Sequence, residues 1–260
     1  PRRSILALAV VAGLIPLSLP PTALAAEAIA WRSEGPFLGT VVDVAFDART
    51  PGLAYAAASN GGIFRSTDSG RNWVAAGRPK TNSRIQWLEL DPGTPGTLWL
   101  GVDNPGKPAL WRSRDQGKTW SVVTDNYSGQ MSTLHPVGYR IAFAPSRPAD
   151  IWVPSTNLHY RSRDGGKSWS DFRVEGQDAY AMAVDPKNPD VVYAGGHGGQ
   201  ESGAAHMSRS DDGGKSWKPV GAGLEPPIHL LQVDPMNSAT VYAASRSGHL
   251  AKSADRGATF

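Results

Sequence analysis

Three charged side chains stand among apolar residues and are the candidates for acid–base chemistry in this chain. Asp43, Glu89 and Arg140 each interrupt a run that is otherwise hydrophobic. Two carboxylic acids that face each other can hydrolyse a glycosidic bond, because one donates a proton while the other acts as nucleophile or base. The alternative, which we favour, is an internal ion pair of the two carboxylates with Arg140. Both interpretations require the three residues to converge near the mouth of a central channel.

The elements that would bring these residues together belong to a repeat. An eight-residue motif that begins with Ser and ends with an aromatic residue occurs five times, at residues 66–73, 113–120, 162–169, 210–217 and 253–260. Successive copies are separated by 47, 49, 48 and 43 residues, counted between their Asp residues. A nearly fixed period of this size indicates stacked units, none of which can bury its faces alone.

Each unit contains four short apolar runs separated by Pro, Gly, Asn and Asp, which is typical of strands and turns. In the first unit we predict strands a, b, c and d, with the motif in the c–d turn and its Trp at the start of strand d; they cover residues 41–46, 53–58, 62–66 and 73–76. The sequence therefore predicts an all-β fold, a β-propeller of four-stranded antiparallel blades, with four complete blades and strands a to c of a fifth. Residues 31–35 resemble a strand d, and we hypothesise that they form the outer strand of the final blade.

The motif residues are predicted to hold turns. The Asp side chain can accept backbone N–H bonds, the Gly can adopt a positive φ, and the Trp can pack on the neighbouring sheet. A calcium loop is not expected, because the acidic positions do not alternate and no Glu closes a twelve-residue loop. The residues assigned this structural role are Asp68, Gly70, Trp73, Asp115, Gly117, Trp120, Asp164, Gly166, Trp169, Asp212, Gly214, Trp217, Asp255 and Gly257.

The motif Ser-x-Asp-x-Gly-x-Thr/Ser-Trp resembles the Asp box, or BNR repeat. The segment at residues 185–194, Asp-Pro-x-Asn-Pro-x-x-Val-Tyr-Ala, is similar to the same group of proteins. That group includes bacterial sialidases, xyloglucanase-type glycoside hydrolases, sortilin-type receptors and propellers like the photosystem II assembly factor. The resemblance covers about residue 40 to the end, and it implies a propeller fold rather than a function, because the shared residues are structural.

Two departures from the enzymes of that group weigh against catalysis. Sialidases of this type carry an Arg-Ile-Pro motif ahead of the first box, whereas here Ala142 stands in place of that Pro and two boxes precede it. Xyloglucanase-type enzymes carry an Asp just before a Gly-Gly pair, whereas here Asn60 precedes Gly61. We therefore expect a binding module without catalysis, and a glycoside hydrolase of sialidase or xyloglucanase type is the first alternative.

A ligand is expected on the face formed by the b–c and d–a loops, opposite the motifs, or in the central channel. Two loops of that face, at residues 125–136 and 195–205, are longer than the repeat requires, and such insertions often mark the binding face of a repeat protein. The candidate ligand-binding residues on this face are Asn60, Asp103, Asn104, Tyr127, His135, Asn157, His197, Gln200, Glu201 and Arg246.

Residues 1–26 differ in composition from the repeats. Arg2 and Arg3 precede an apolar run, and residues 23–25, Ala-Leu-Ala, form a small-x-small cleavage pattern. We predict a secretory signal peptide at 1–26, a propeller at 27–260 that is incomplete at its C-terminus, and export to a bacterial periplasm or the medium with no stable membrane span after cleavage. The absence of Cys fits a fold that is stabilised by its core rather than by disulfides.

Composition also narrows the range of partners. The 26 basic and 23 acidic residues nearly balance, which argues against nucleic acid. The six His residues show no metal-ligand spacing, and neither a Ser-His-Asp triad nor a phosphate-binding loop is visible, so we expect no metal and no cofactor. The expected partner is a protein or carbohydrate on the b–c/d–a face. The second alternative is an assembly factor for a membrane protein complex.

Overall fold

Short antiparallel strands make up the regular structure of the chain. The structure is a computed structural model that describes residues 40–80, 84–103, 109–123, 140–155, 158–175, 177–198 and 206–260. Within these ranges there are nineteen strands and no helix, and therefore no helix that could span a membrane. All the described residues belong to one compact unit, Glu34–Phe260.

The strands pair in chain order into five small sheets, which we call blades 1 to 5. Blade 1 contains β1 (Val41–Phe46), β2 (Ala54–Ala58), β3 (Ile63–Ser66) and β4 (Val74–Gly77). Blade 2 contains β5 (Arg84–Leu90), β6 (Leu98–Asp103), β7 (Ala109–Ser113) and β8 (Ser121–Val122). Blade 3 contains β9 (Ala142–Phe143), β10 (Ile151–Val153), β11 (His159–Ser162) and β12 (Ser170–Phe172).

The last two blades follow the same order. Blade 4 contains β13 (Gln177–Val184), β14 (Val192–Gly198), β15 (Met207–Ser210) and β16 (Lys218–Val220). Blade 5 contains β17 (Ile228–Val233), β18 (Val241–Ser245) and β19 (Leu250–Ser253). The predicted propeller of antiparallel blades, four with four strands and a fifth with three, is confirmed. Residues 1–26 and 31–35, for which we predict a signal peptide and a closing strand, lie outside the described residues.

Four of the five clusters of buried hydrophobic residues are layers between two consecutive blades. The layers join blade 1 to blade 2, blade 2 to blade 3, blade 3 to blade 4 and blade 4 to blade 5, and the fifth cluster lies within blade 1. The largest fully buried side chains occupy one equivalent position of the second strand; they are Tyr55, Trp99, Trp152 and Tyr193. The second strands β2 and β10 consist of apolar residues and are buried at every residue.

A basic residue on the third strand lies directly opposite that aromatic residue in every blade. The cross-strand pairs are Tyr55 with Arg65, Trp99 with Arg112, Trp152 with Arg161, Tyr193 with Arg209, and Tyr242 with Lys252. In blades 2 to 5 the cation lies over the ring, 3.9–5.9 Å from its centroid. We call this aromatic–cation pair the clamp of its blade.

The eight-residue motifs form the turns between the third and fourth strands by one repeated hydrogen-bond network. In each copy the Ser Oγ donates to the Asp Oδ1 at 2.7–2.8 Å and accepts from the Gly N–H at 2.7–2.9 Å. The Asp accepts further bonds from the backbone and side chain four residues later, at 2.6–3.0 Å. The predicted turn function of the Asp agrees with this geometry.

The motif glycines take positive φ values between 78° and 88°, as the sequence predicts. The residue before each Gly is also left-handed, and in three copies it is Ser69, Gln116 or Arg256, which the sequence does not reveal. One detail of the prediction is wrong, because the motif Trp precedes the fourth strand instead of beginning it. In blade 2 the Trp120 indole folds back over its own turn and donates to the Gly117 carbonyl at 2.8 Å, which keeps the residue in the turn.

Candidate functional site

The first strands of the blades line the centre of the described fold and carry the candidate site. Four of them contain a β-bulge at the same position, where two residues face one on the second strand. The inserted residues are Val42, Gln86, Tyr180 and His229. A bulge leaves its extra residue outside the ladder and redirects its side chain, and it is therefore common near functional sites.

Asp43, Glu89 and Arg140 meet among these strands, although they come from three blades and from different heights along them. Asp43 is the third residue of β1, Glu89 is the last but one of β5, and Arg140 precedes β9. The Arg140 Nη2 donates to the Asp43 Oδ2 at 2.6 Å, and the Nη1 donates to the Glu89 Oε2 at 3.0 Å. Asp43 is also held by the backbone N–H of Leu88 in blade 2, at 2.7 Å, and by that of Val44 at 2.9 Å. One guanidinium therefore bridges two carboxylates, and the three groups together carry one net negative charge.

The environment of this ion-pair cluster is asymmetric. The Asp43 side chain is 10% exposed, whereas those of Glu89 and Arg140 are 30% and 50% exposed. Burial raises the pKa of the Glu89 carboxyl against the attraction of Arg140, and the negative charge of Asp43 acts in the same direction. Burial acts to lower the pKa of Arg140, but its bonds to Asp43 and Glu89 outweigh burial, so that pKa is raised and the guanidinium stays charged.

A cavity of about 400 Å³ adjoins the cluster and is lined by the first strands of blades 2 to 5. Most of its lining residues are apolar, and Glu89, Arg140, Tyr180, His229 and Gln232 supply polar groups. The Tyr180 and His229 rings lie 5.1 Å apart, centroid to centroid, at an interplanar angle of 31°. An apolar wall with a few polar groups is the usual composition of a ligand site.

The His229 imidazole is neutral and one of its nitrogen atoms is buried. Burial lowers its pKa, and the charge of Arg246 adds to the effect, so the imidazole is neutral at physiological pH. Its Nε2 atom is shielded from solvent and has no hydrogen-bond partner in the described part of the chain. A buried polar atom without a partner is costly.

The predicted ligand-binding face is described in part. Asn60 is exposed and accepts a hydrogen bond from the Gly62 N–H in the turn after β2. His197 is exposed near the end of β14, and Arg246 follows β18, with its N–H bonded to the Pro227 carbonyl. Asp103 ends β6, and the remaining candidates lie outside the described residues; they are Asn104, Tyr127, His135, Asn157, Gln200 and Glu201.

Hydrogen bonds show that the turns after the second strands sit beside the starts of the first strands. Ser59 in the turn after β2 accepts a bond from the N–H of Ile85, near the start of β5 in blade 2. Ser155, which follows β10, forms a β-bridge with Ala179 of β13 in blade 4. These turns therefore lie at the end of the fold where the inner strands begin, and each joins its blade to the next.

Tyr180 and His229 are the residues of the cavity that sequence reasoning misses. The alternation of strand a assigns the variable positions of blades 4 and 5 to Ala181 and Leu230, because a regular strand has no extra residue. The bulge inserts Tyr180 and His229 just before those positions. The sequence signal that could have revealed them is a polar or aromatic residue beside the alternating position, as Gln86 is in blade 2.

No group of three or more His, Cys, Asp or Glu residues able to hold a metal occurs within the described ranges.

Comparisons with known proteins agree with this architecture. Residues 108–208 match the model of the Sortilin-Vps10 family, described as sortilin, neurotensin receptor 3. A vacuolar protein sorting/targeting protein 10 of Sordaria macrospora is 39% identical over 74 residues, which are 28% of this chain and 4% of that protein. A probable oligoxyloglucan-reducing end-specific xyloglucanase of Neosartorya fischeri is 29% identical over 151 residues, covering 52% of this chain and 18% of that protein.

Solved structures share the fold at lower identity. An ancestral GH74 enzyme superposes with a TM-score of 0.58 at 19% identity, covering 82% of this chain and 31% of its own. YCF48 bound to D1 peptide gives a TM-score of 0.56 at 18% identity, covering 84% of this chain and 65% of its own. The chain therefore spans less than a quarter of the two curated relatives described above, and the matches together fit a β-propeller of BNR repeats.

Proposed function

We propose that this chain, as a β-propeller of BNR-type repeats, binds a protein or glycan ligand at the mouth of its central channel and does not cleave it. The observation that carries the proposal is the shared guanidinium of Arg140. Both candidate acids are bound by the same guanidinium, which occupies one oxygen of each carboxylate and opposes the protonation that a general acid requires. The cluster is therefore better suited to form a fixed polar rim around a ligand site than to act as a pair of catalytic acids.

The adjoining cavity supports the same proposal. Its apolar residues can take up part of a ligand, while the Tyr180 and His229 rings offer a stacking surface. Arg140 is half exposed and keeps further N–H groups for a ligand oxygen. A sugar ring or a peptide side chain satisfies each of these requirements, and so both ligand classes are included.

Two matched histidine variants test the binding site. Xyloglucan oligosaccharides, sialyllactose and a displayed peptide library serve as probes, and calorimetry measures the affinity of each probe that binds. We expect His229→Ala to weaken binding about tenfold, because it removes a stacking ring from the cavity. His249→Ala is the control, since His249 is exposed and pairs with Glu225 instead of lining the cavity.

Either of two results would overturn the proposal. The first is that none of the three probe classes binds saturably to the folded protein. The second is that His229→Ala and His249→Ala affect binding equally, which would place the site elsewhere on the face.

A glycoside hydrolase is the second candidate, and the raised pKa of Glu89 favours it. A raised pKa makes a carboxyl better suited to act as a general acid, and the xyloglucanase relatives make a β-glucan the first substrate to try. Product analysis after incubation with xyloglucan oligosaccharides tests this candidate. Cleavage that is abolished in Glu89→Gln but retained in Glu225→Gln, a control at an exposed carboxylate, would replace the binding proposal. Absence of cleavage by the wild type removes the hydrolase candidate for this chain.

We further propose a lumenal or extracellular location, and specifically a bacterial periplasm or the medium. The names of the relatives, vacuolar sorting proteins and xyloglucanases, support a non-cytosolic compartment, and residues 1–26 support export. Sequencing the N-terminus of the mature protein after bacterial expression tests the finer proposal. A mature chain that starts at Glu27 is expected, whereas an uncleaved cytosolic chain would contradict it.

An assembly role differs from the main proposal in requiring one obligate protein partner, and the similarity to YCF48 bound to D1 peptide motivates it.

A further inference from the structure

A second cavity lies between blades 3 and 4, on the face opposite the b–c/d–a face. Its volume is about 420 Å³, and it is formed by motif turns together with the turns between first and second strands. These turns adjoin within each blade, because the Gly165 N–H donates to the Ala149 carbonyl in blade 3 and the Gly213 N–H donates to the Asp190 carbonyl in blade 4. Blades 2 and 5 flank the two blades, so the cavity belongs to the interior of the blade series. We call it the motif-face pocket.

The lining of the motif-face pocket is charged. Four basic side chains and three carboxylates line it, together with Gly213, so its net charge is one positive. The cavity between the first strands differs, because most of its lining residues are apolar. The motif-face pocket is therefore suited to a charged ligand, and the sign of that ligand depends on which of the lining charges are already paired.

The three carboxylates are all bound by groups of the protein. Asp150 is 1% exposed and accepts hydrogen bonds from the Arg161 Nε at 2.6 Å and Nη2 at 2.5 Å. The Arg147 Nη2 lies 3.0 Å from Asp150 and 2.8 Å from Asp190, and it thereby joins blade 3 to blade 4. Asp212 is held within its own motif turn, as the Asp of every copy is. We call Arg147, Asp150, Arg161 and Asp190 the charge network.

The charge network also fixes the motif turn of blade 4. Arg161, the cation of the blade 3 clamp, donates through Nη1 to the Gly213 carbonyl at 2.5 Å. A Cβ on Gly213 would lie 3.1 Å from the Asp190 Oδ1 and 3.8 Å from the Arg161 Nη2, so this turn packs directly on the network. Because the side chains of Asp150 and Arg161 are only 1% and 7% exposed, the two walls of the pocket are held by a buried ion pair.

Two of the four basic side chains are not paired. Arg163, in the blade 3 motif, and Lys215, in the blade 4 motif, are exposed, and neither forms an ion pair or a side-chain hydrogen bond within the described residues. Since each belongs to a different blade, they stand on the two sides of the pocket. The neutralised carboxylates leave this positive charge available, and a guanidinium binds a phosphate or similar oxyanion with two parallel N–H bonds.

The charge network is a departure from the repeat. At the joint between blades 2 and 3, the positions equivalent to Arg147, Asp150 and Asp190 are uncharged; they are Thr94, Thr97 and Ala149. That joint packs without the network, so the stacking of blades does not require it. The unpaired cations, in contrast, have counterparts there in Arg114 and Lys167. The chain thus contains a matched joint that has the cations and lacks the network.

We propose that the motif-face pocket binds the phosphate or sulfate group of a sugar-sized molecule. Arg163 and Lys215 are the charged donors to this group, and the charge network holds the two walls at a fixed separation. The volume of the pocket lies in the range of about 300–1,000 Å³ that is typical of ligand sites, and it is larger than a free inorganic ion requires. The site faces away from the channel mouth and stands independently of the ligand proposed there.

Two double variants of the full chain test the site by calorimetry with glucose 6-phosphate at low ionic strength, where charge interactions are least screened. Arg163→Gln with Lys215→Gln removes the two unpaired cations of the pocket. Arg114→Gln with Lys167→Gln removes the equivalent pair at the joint without the network, and it changes the net charge by the same amount. We expect the first variant to bind at least about tenfold more weakly than the wild type and the second to bind like the wild type. Thermal unfolding should be unchanged in both, because all four side chains are exposed.

Three further probes identify the anion and the size of the ligand. Glucosamine 6-sulfate carries a sulfate in place of the phosphate, so the tighter of the two esters shows which group the pocket prefers. Glucose lacks the anion, and inorganic phosphate lacks the sugar. We expect both to bind more weakly than the esters, and we expect glucose binding to be the same in the two double variants.

Three results would overturn the proposal. The first is that neither ester binds saturably to the wild type. The second is an equal loss of affinity in the two double variants, which would indicate a general effect of positive charge. The third is that glucose or inorganic phosphate binds as tightly as the esters, which would remove the oxyanion or the sugar from the assignment. None of these results affects the proposal for the channel mouth, whose test variants lie on other residues.

Discussion

The motif turns and the ion-pair cluster are built in opposite ways. The motif turns repeat the same bonds five times, and each motif bond joins residues no more than four apart in sequence. The ion-pair cluster occurs once in the described residues, and Arg140 reaches partners 51 and 97 residues away. The motif turns therefore shape each blade locally, whereas the cluster connects three different blades.

The pKa values of the carboxyls in the motif turns and in the cluster shift in opposite directions. Hydrogen bonds from Asn72 lower the pKa of Asp68 to about 2, and those from Thr119 lower the pKa of Asp115 to about 2. Burial raises the pKa of Glu89 at the channel mouth. The turns are therefore stabilised by ionised carboxylates, while the mouth holds an ionised carboxylate at a cost, which is the usual situation of a site kept for binding rather than for stability.

The largest expected effect comes from the glycine that sits on a clamp. Gly166→Ala forces a Cβ into the left-handed region and to within 2.7 Å of the Trp99 ring, and we expect it to lower the free energy of unfolding by about 3 kcal/mol. Gly165→Ala is the matched control, because Gly165 is also left-handed but has no atom within 4 Å of the added Cβ, so its cost is about 1 kcal/mol. Urea unfolding followed by Trp fluorescence measures both. Equal losses would show that the ring contact is unimportant.

Removing a motif charge should have a smaller effect that depends on pH. Asp115→Asn loses the charged acceptor of the Thr119 bonds, and we expect a loss of about 1 kcal/mol at pH 7. Because the folded pKa of Asp115 is depressed, its contribution is complete above the unfolded pKa near 4 and is lost as the pH falls through about 2. The difference between variant and wild type should therefore shrink on acidification. A difference that stays constant from pH 7 to pH 2 would contradict this assignment.

Removing the charge at the mouth should have the opposite dependence. Since the folded pKa of Glu89 is raised, ionisation destabilises the folded state, and that penalty grows as the pH rises from the unfolded value near 4.3 through the folded one. Glu89→Gln should therefore match the wild type at pH 4 and equal or exceed its thermal stability at pH 7. Thermal unfolding at the two pH values provides the measurement. A variant that is clearly less stable at pH 7 would mean that the bond to Arg140 outweighs burial.

The smallest expected effect is a gain at a left-handed residue. Gln116 has φ 63°, and Gln116→Gly removes the strain of a side chain there, offset by the larger entropy of the unfolded Gly. We expect a net stabilisation below about 1 kcal/mol. Lys118→Gly, two residues later and without a positive φ, should instead destabilise, and chemical unfolding distinguishes the two signs. Destabilisation by both variants would show that the Gln116 backbone is unstrained.

The sequence predicts the motif turns well because all of their determinants are local. The Asp68 turn, the left-handed Gly70 and the four strands of blade 1 follow from residues that are close together in the chain. The convergence of Asp43, Glu89 and Arg140 is predictable as well, because all three lie on or beside the innermost strands of a propeller. The side chains of Tyr180 and His229 are not predictable from alternation, since a bulge changes the count by one and its position depends on the neighbouring strand.

The clamps are not predictable from the sequence for a related reason. A Trp on one strand and an Arg on the next are each explained by strand composition, and only the pairing of Trp99 with Arg112 reveals that they act as a unit. Their contact with the next blade then depends on the stacking of whole sheets. A repeat period predicts that blades stack, but it does not identify which atoms form the contact between consecutive blades.

The bulged positions of the inner strands make the channel mouth open to redesign. Val42, Gln86, Tyr180 and His229 are the extra residues of their ladders, so exchanging their side chains leaves the cross-strand bonds of the blade in place. A library that randomises these four positions should therefore retain the fold in most members while changing the chemistry of the rim. The scaffold separates the residues that maintain the architecture from those that can acquire a new specificity, and selection can act on the second set without disturbing the first.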